Sequence, residues 1–306
     1  MSSSFEFEFL AKILPNIKTS TAIVVPPGDD CAGVKFDDSN RVVLLASDQI
    51  IGNIHYFQNS TPPEKVGAKL LKRNLSDIAA MGGKAKYALV NLANGRESLD
   101  YLCKFMAGIS EAANNYGVFL IGGDTGHFLT GEDKETSSLV ASLTIIGEIS
   151  EENLACRNNA EDGDLIFVTG ELGESLANEH HLNFEPRLAE GEFLTSNKIT
   201  DCMMDISDGL LLDLKRICEM SNISAKISIA DLPLRNKELD YRQINCGEDY
   251  ELLFAVAPEK LEFLQANWQT DFAPIKCIGR FVKDGKVEVY DENNNILNTG
   301  NSGYEH

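Results

Sequence analysis

At 306 residues, with 43% hydrophobic and 24% charged side chains, the chain is long enough for two globular domains and has no run of about eighteen apolar residues of the kind that spans a membrane. Its formal charge of −20 leaves no basic face for nucleic acid, and the start Ser2-Ser3-Ser4-Phe5-Glu6 lacks the basic and apolar parts of a signal peptide, so a cytoplasmic protein with neither nucleic-acid nor membrane partners is expected. The seven cysteines are scattered, odd in number and without a Cys-x-x-Cys pair, which favours reduced thiols over a zinc site.

In chain order, the apolar residues 22–25 lead into Gly28-Asp29-Asp30. Residues 42–47 read as a strand ended by Asp48, whose alternation puts Asp48 on the side of Val42, Leu44 and Ala46, the expected core face. Thr61-Pro62-Pro63-Glu64 offers a capping box with proline in the first turn, and Gly82-Gly83 a stop, so a helix is expected between them, packed through Ala68, Leu71, Leu75, Ile78 and Gly82. Asp77 lies off that stripe, where its plain role would be a solvated partner for Arg73, worth about 0.3–0.5 kcal/mol.

Residues 87–92 read as a strand, and Leu99, Leu102, Phe105, Met106, Ile109 and Ala113 mark a helix closed by Gly117. A short apolar strand over 118–121 would end in Gly122-Gly123-Asp124-Thr125, and 139–146 would be the last strand of the first half. The polar stretch 148–162 suggests a boundary, giving domains 1–149 and 150–306. The second half opens with a strand over 165–168 that runs into Gly170-Glu171-Leu172-Gly173, either a tight turn or a nest of amides for an anion. Asp205-Ile206-Ser207-Asp208-Gly209 then joins Met203-Met204 to a helix from Ser207 to about Met220, with Ser207 as its N-cap. Strands over 225–229 and 252–256 and a final strand pair between Cys277 and Tyr290 complete the chain.

Asp30, Asp48, Asp77, Asp124, Asp205 and Asp208 recur where strands give way to turns or inside a helix among apolar neighbours. Carboxylates held this way suit hard cations such as Mg²⁺, which bridge to phosphate oxygens. There is no Gly-x-x-x-x-Gly-Lys-Ser/Thr loop, so phosphate would be held by metals and backbone amides.

Taken in order, Gly28-Asp29-Asp30-Cys31-Ala32, Ser47-Asp48, Asn74-Leu75-Ser76-Asp77 through Met81-Gly82, Gly122-Gly123-Asp124-Thr125, Gly163-Asp164 through Gly170, Asp205-Ile206-Ser207-Asp208-Gly209-Leu210 and Gly247-Glu248-Asp249-Tyr250-Glu251-Leu252 resemble the thiamine-monophosphate kinases, over nearly the whole chain. These belong with the aminoimidazole ribonucleotide synthetase-like ATP-binding proteins. The resemblance implies the α+β class, a two-domain PurM-like fold with a C-terminal α/β sandwich domain, and a homodimer whose N-terminal strands form a shared barrel. It implies phosphorylation of thiamine monophosphate to thiamine diphosphate with ATP as co-substrate and several Mg²⁺ ions.

Carried over by position, the resemblance makes Asp30, Ser47, Asp48, Asp77, Asp124, Asp205 and Asp208 metal-binding. It gives Gly123, Asp124, Arg157 and Ser207 to the nucleotide and His55 and Glu248 to the thiamine phosphate. The acceptor is a phosphate oxygen already ionised near pH 7, so no general base is expected. The chain departs from the family pattern at Ala46, where a hydroxyl residue is common, at Ala85, at Asn245-Cys246, and in the tail Gly303-Tyr304-Glu305-His306, which lacks a final aromatic. Sister activities, such as those of selenophosphate synthetases, purine-pathway synthetases or hydrogenase maturation factors, and a non-catalytic nucleotide or metal binder are the alternatives. Residues 2–18 hold neither a cysteine nor the glycine-rich loop in which the first of these would set a reactive Cys near a Lys, and the chain does not end in the cysteine a hydrogenase maturation factor would use.

Overall fold

The first sheet takes β1 (Ile23–Val25), β2 (Ala32–Val34), β3 (Arg41–Ile51), β4 (Lys84–Asn94), β5 (Phe119–His127) and β6 (Leu139–Ser150) in the order β1-β2-β3-β6-β4-β5. The structure is a computed structural model and describes residues 9–10, 12–128, 139–236, 244–283, 285–291, 293 and 295–297; the C-terminal tail singled out above lies outside them. β3 and β6 pair antiparallel along all of β3, from Arg41 opposite Ser150 to Ile51 opposite Val140. Their alternation decides the faces: Val42, Leu44, Ala46 and Ile50 on β3, and Leu139, Ala141, Leu143 and Ile145 on β6, are all buried on one side.

That side is covered by α1 (Pro63–Ala80) and α2 (Leu99–Asn115). The glycine stops form as expected. Gly82 takes φ +72°, its N–H donates to Ala79 O at 2.9 Å, and Gly83 N–H reaches Ile78 O at 2.9 Å, which closes α1 in a Schellman turn. The capping box at the other end does not form. Pro62 is the N-cap with no side-chain hydrogen bond, and Pro63 opens the helix at a position where its missing N–H costs nothing.

The second sheet takes β7 (Leu165–Thr169), β8 (Met203–Asp205), β9 (Ser224–Ser228), β10 (Leu252–Val256), β11 (Ile275–Val282) and β12 (Glu288–Tyr290) in the order β12-β9-β11-β7-β10-β8. Helices α3 (His180–Asn183), α4 (Leu188–Ser196), α5 (Leu210–Ser221) and α6 (Leu261–Asn267) accompany it. The two expected terminal strands both form but do not pair with each other: β12 runs parallel to β9, while β11 lies between β9 and β7. Leu210, Leu214 and Ile217 of α5 pack with Ile166, Val168 and Leu253 on one face; Phe167, Phe254 and Met203 lie on the other, in one cluster with Leu194 of α4 and with Ala79 and Ala80 of α1.

α1 therefore belongs to both halves. Leu71, Leu75 and Ile78 serve the first core, while Ala79 and Ala80 serve the second. A helix buried from several sides hides polar groups as well as apolar ones, and Lys69, Lys72, Arg73, Asn74 and Ser76 are all buried. The α+β, two-domain class expected from the sequence is the one observed.

Two motifs sit differently from expectation. Asp48 lies inside β3, and Gly122-Gly123-Asp124-Thr125 lies inside β5 instead of ending it. In each case the neighbouring strand continues to offer pairing: β6 to β3, and β4 to β5 as far as Asn94 opposite His127.

Candidate active site

Asp30 sits in the turn after β1, Asp77 near the end of α1 and Asp205 at the end of β8, so three segments from both halves converge. One carboxylate oxygen from each lies within 4.8 Å of the other two. Carboxylates this close in a buried place repel, which favours the protonated form of Asp77 and Asp205. Burial, then the charges of Asp48, Asp205 and Asp30, hold the Asp77 carboxyl well above its ordinary range. Burial and then Asp30 do the same to Asp205, although Ser76 Oγ donates to its Oδ2 at 2.6 Å and partly offsets them. Asp29 is pushed up to about 6 by burial and then by Asp30. Oxygen ligands and crowded negative charge are the donor set and the electrostatic demand that a hard divalent cation meets, so the residues fit such an ion.

Arg157 partly answers that charge. Its Nη2 lies 2.5 Å from Asp30 Oδ1, its Nε donates to Asp30 Oδ2 at 3.2 Å, and its Nη1 to Gly28 O at 3.2 Å. Its backbone N–H donates to Asp29 Oδ2 at 3.1 Å. The residue assigned by resemblance to the nucleotide is thus anchored on the acid turn.

The segment 205–209 is set by a residue that its sequence neighbourhood does not mark. Asp213 Oδ2 accepts from the N–H groups of Ser207, Asp208 and Gly209, each at 3.1 Å, and Asp213 Oδ1 accepts from Arg216 Nη1 at 2.6 Å. Arg216 Nη2 in turn lies 2.5 Å from Asp208 Oδ2. Ser207 is therefore not the N-cap. Gly209 is, at φ +111° and without a side-chain cap, and the amides of the turn that leads into it are satisfied by a carboxylate reaching back from within α5. Burial pushes Asp213 up to about 7, against the pull of Arg216.

A second grouping lies along α1. Lys69 Nζ donates to Glu248 Oε2 at 2.7 Å, to Glu248 Oε1 at 2.9 Å and to His55 O at 2.5 Å, so it ties together the two residues assigned to the thiamine phosphate. His55 Nδ1 accepts from Ile51 N–H at 3.0 Å. Glu248 is held in a tight turn with Gly247 at φ +74°, Glu248 at +60° and Tyr250 at +51°, a run that two non-glycine residues adopt only where surrounding bonds impose it. Glu248 N–H to Ser207 O (2.7 Å) and Tyr250 N–H to Ile206 O (2.8 Å) supply them. Burial lowers the Lys69 ammonium to about 8 although Glu248 opposes it. Between the two groupings stands Arg73, with Nε 3.3 Å from Asp48 Oδ2 and Nη1 donating to Gln49 O at 2.9 Å.

Not every expected residue joins these groups. Ser47 lies on the exposed side of β3, where its Oγ donates to Leu143 O at 3.3 Å and meets Thr144 Oγ1 at 3.2 Å, opposite the face that carries Asp48. Asp48 presses on Asp77 electrostatically, yet its oxygens stay outside the three-acid group. Gly123 and Asp124 lie on the exposed edge strand β5; the row Asp48, Leu143, Val90, Gly123 crosses three strand gaps, which puts Gly123 roughly 14 Å from Asp48. A Cβ at Gly123 would come 1.8 Å from Val90 O, so only glycine fits there.

Amides of the candidate nest at 170–173 are already taken by other segments of the chain. Gly170 N–H goes to Pro274 O, Leu172 N–H to Pro233 O and Gly173 N–H to Asp249 Oδ1. Lys69, Lys72, Arg73 and Asp213 escape a reading by periodicity because polar residues off an apolar stripe are ordinarily solvated. The available signal was three basic residues within five positions of a chain with net charge −20, one turn before Asp77.

Fold and site together define a two-domain α+β protein of the AIR synthase related class. The N-terminal domain profile of AIR synthase related proteins matches residues 28–149 and the C-terminal domain profile matches 139–292. The thiamine-monophosphate kinase of Buchnera aphidicola (subsp. Acyrthosiphon pisum) is 31% identical, with 90% of each chain covered, and that of Bacillus subtilis is 31% identical with 98% of this chain and 99% of the other covered. A solved structure described as AaThiL complexed with AMPPCP and TMP superposes with TM-score 0.79 at 26% identity, covering 99% of this chain and 96% of that one. The chain belongs to the thiamine-monophosphate kinase family.

Proposed function

We propose that the protein transfers the γ-phosphoryl group of ATP to the phosphate of thiamine monophosphate, giving thiamine diphosphate and ADP. The observation that carries this reading is the convergence of Asp30, Asp77 and Asp205 at the seam of a chain similar, over nearly its full length, to a relative solved with AMPPCP and TMP. Bringing one polyanion up to another is the difficulty of this reaction, and Mg²⁺ at the three acids would neutralise that repulsion. Asp30, Asp77 and Asp205 would hold the ion, and Asp208 and Asp124 would offer further carboxylates for metal at the nucleotide's phosphates. The loop 205–209 orients the nucleotide, and His55 and Glu248, fixed by Lys69, orient the acceptor. Glu248 suits the amino group and cationic ring of thiamine. No side chain need remove a proton, because the attacking oxygen is already ionised.

Residues 1–149 supply Asp30, Asp77, Asp124 and His55, and residues 150–306 supply Arg157, Asp205, Ser207, Asp208 and Glu248. A homodimer closed through the first sheet fits its open side, where Tyr87, Phe119 and Ile121 are 45%, 67% and 53% exposed. A cytoplasmic location fits seven free thiols. Among the described residues no helix is long and apolar enough to cross a membrane.

The test is to incubate the protein with ATP, Mg²⁺ and thiamine monophosphate and to separate the thiamine species by chromatography, with free thiamine and metal-free samples alongside. Thiamine diphosphate is expected only from the monophosphate and only with metal. No product from a protein that demonstrably binds ATP would overturn the reading.

A further inference from the structure

Asp48 and Arg73 form a pair that the proposed reaction does not use. The Arg73 side chain is 9% exposed: its Nη1 donates to Gln49 O at 2.9 Å, and its Nε lies 3.3 Å from Oδ2 of the 31% exposed Asp48 side chain, an ion-pair contact without a hydrogen bond. The Asp48 N–H donates to Asn74 Oδ1 at 3.2 Å, one turn before Asp77 on α1, so Asp48 stands beside the helix that carries one of the three acids, yet its oxygens do not join their group. The strand around Asp48 offers a cation nothing else. The flanking positions on its face are Ala46 and Ile50, both buried and without a side-chain oxygen, while Ser47 turns its hydroxyl to Leu143 O and Thr144 on the opposite face. An ion at Asp48 would lack further side-chain ligands from β3 and would face the permanent charge of a buried guanidinium. A guanidinium is permanently charged and more weakly hydrated than an ammonium, so it is the more readily buried partner.

We propose that Arg73 is a built-in counter-cation: it takes at Asp48 the place a divalent ion would otherwise fill, so that Asp48 is not a metal ligand in this chain. The inference rests on the reading of the neighbouring acids as a divalent-cation site. Removing Arg73 would leave a carboxylate without a partner beside Asp77, and that pair would recruit an ion.

The test counts Mn²⁺ bound per chain by electron paramagnetic resonance, in the full-length protein saturated with AMPPCP. Asp48→Asn is expected to bind as many ions as the unaltered protein, Arg73→Gln one more, and the Arg73→Gln/Asp48→Asn double variant to lose that extra ion. Loss of an ion in Asp48→Asn alone, or no gain in an Arg73→Gln protein whose circular dichroism is unchanged, would overturn the proposal. If Arg73→Gln does not fold, the Asp48→Asn count decides by itself. Asp205→Asn separates the two readings: it should lose an ion whether or not Arg73 acts as a counter-cation, and an unchanged count there would remove the cation site and this inference with it.

Discussion

The family resemblance assigns both Asp205 and Ser47 to the metal, and the structure places only Asp205 in the three-acid group. Asp205→Asn takes one oxygen from a three-acid group that shares its charge, so turnover is expected to fall on the order of a hundredfold or more. Ser47→Ala loses contacts to Leu143 O and Thr144 on an exposed face, and is expected to change stability by less than about 0.5 kcal/mol with little effect on turnover. Steady-state rates across an Mg²⁺ titration check both, and a Ser47→Ala rate as low as that of Asp205→Asn would refute the difference. Lys69 makes the opposite point, being invisible in the sequence and central in the structure. Lys69→Met strands the buried Glu248 carboxylate and should cost about 3–5 kcal/mol in urea denaturation, while adding Glu248→Gln should restore much of it. The acids were legible because turns and glycines mark them. Lys69 was not, because period 3.6 identifies an apolar stripe but says nothing of what covers the other sides of a helix.

At the scale of elements, the glycine stops of α1 and α2 were legible, since positive φ at Gly82 and Gly117 is a local demand that the residue type announces. The start of α5 was not. Ser207 has the right identity and place for a cap, but Asp213 outcompetes it by accepting three successive amides from four to six residues downstream, a contact that needs the chain to turn at Gly209 first. Asp213→Ala should therefore destabilise the protein by about 3 kcal/mol, through three amides, one buried and two part-buried, without an acceptor and an Arg216 charge left with Asp208 alone. Asp213→Asn, which keeps one acceptor oxygen, should lose less. Urea midpoints of the two variants against the parent measure the order, and equal losses would mean that charge, not capping, is the contribution. The helix pair α1 and α2 carries a similar hidden constraint: a Cβ on Gly108 would meet Glu64 O at 2.0 Å and one on Gly67 would meet Phe105 O at 2.0 Å, a closeness no apolar periodicity reveals.

For the whole molecule, the same crowding that prepares a cation site makes the metal-free protein sensitive to pH. A carboxyl whose pKa is raised in the folded state binds its proton more tightly there than in the unfolded chain, so its stabilising contribution is complete below the unfolded value and is lost as pH rises through the folded one. Asp29, raised from 3.8 to about 6, would contribute at most on the order of 3 kcal/mol in this way, and Asp77 and Asp205, held well above their ordinary range, extend the loss to higher pH. His180, lowered to about 4 by burial and then Arg235, works in the opposite direction between its folded and unfolded values, and Lys69 and Lys72, lowered to about 8, add stability only as pH rises beyond that. Those groups lie outside the three-acid group, so the difference between metal-loaded and metal-free protein isolates the acids. Stabilisation by Mg²⁺ should accordingly grow from acid to neutral pH as protons leave the raised carboxyls of Asp77 and Asp205 and the ion takes their place. Thermal midpoints measured across that range with Mg²⁺ and with chelator should diverge, and Asp77→Asn should flatten the divergence. Curves that stay parallel from acid to neutral pH would mean that Asp30, Asp77 and Asp205 do not hold the ion.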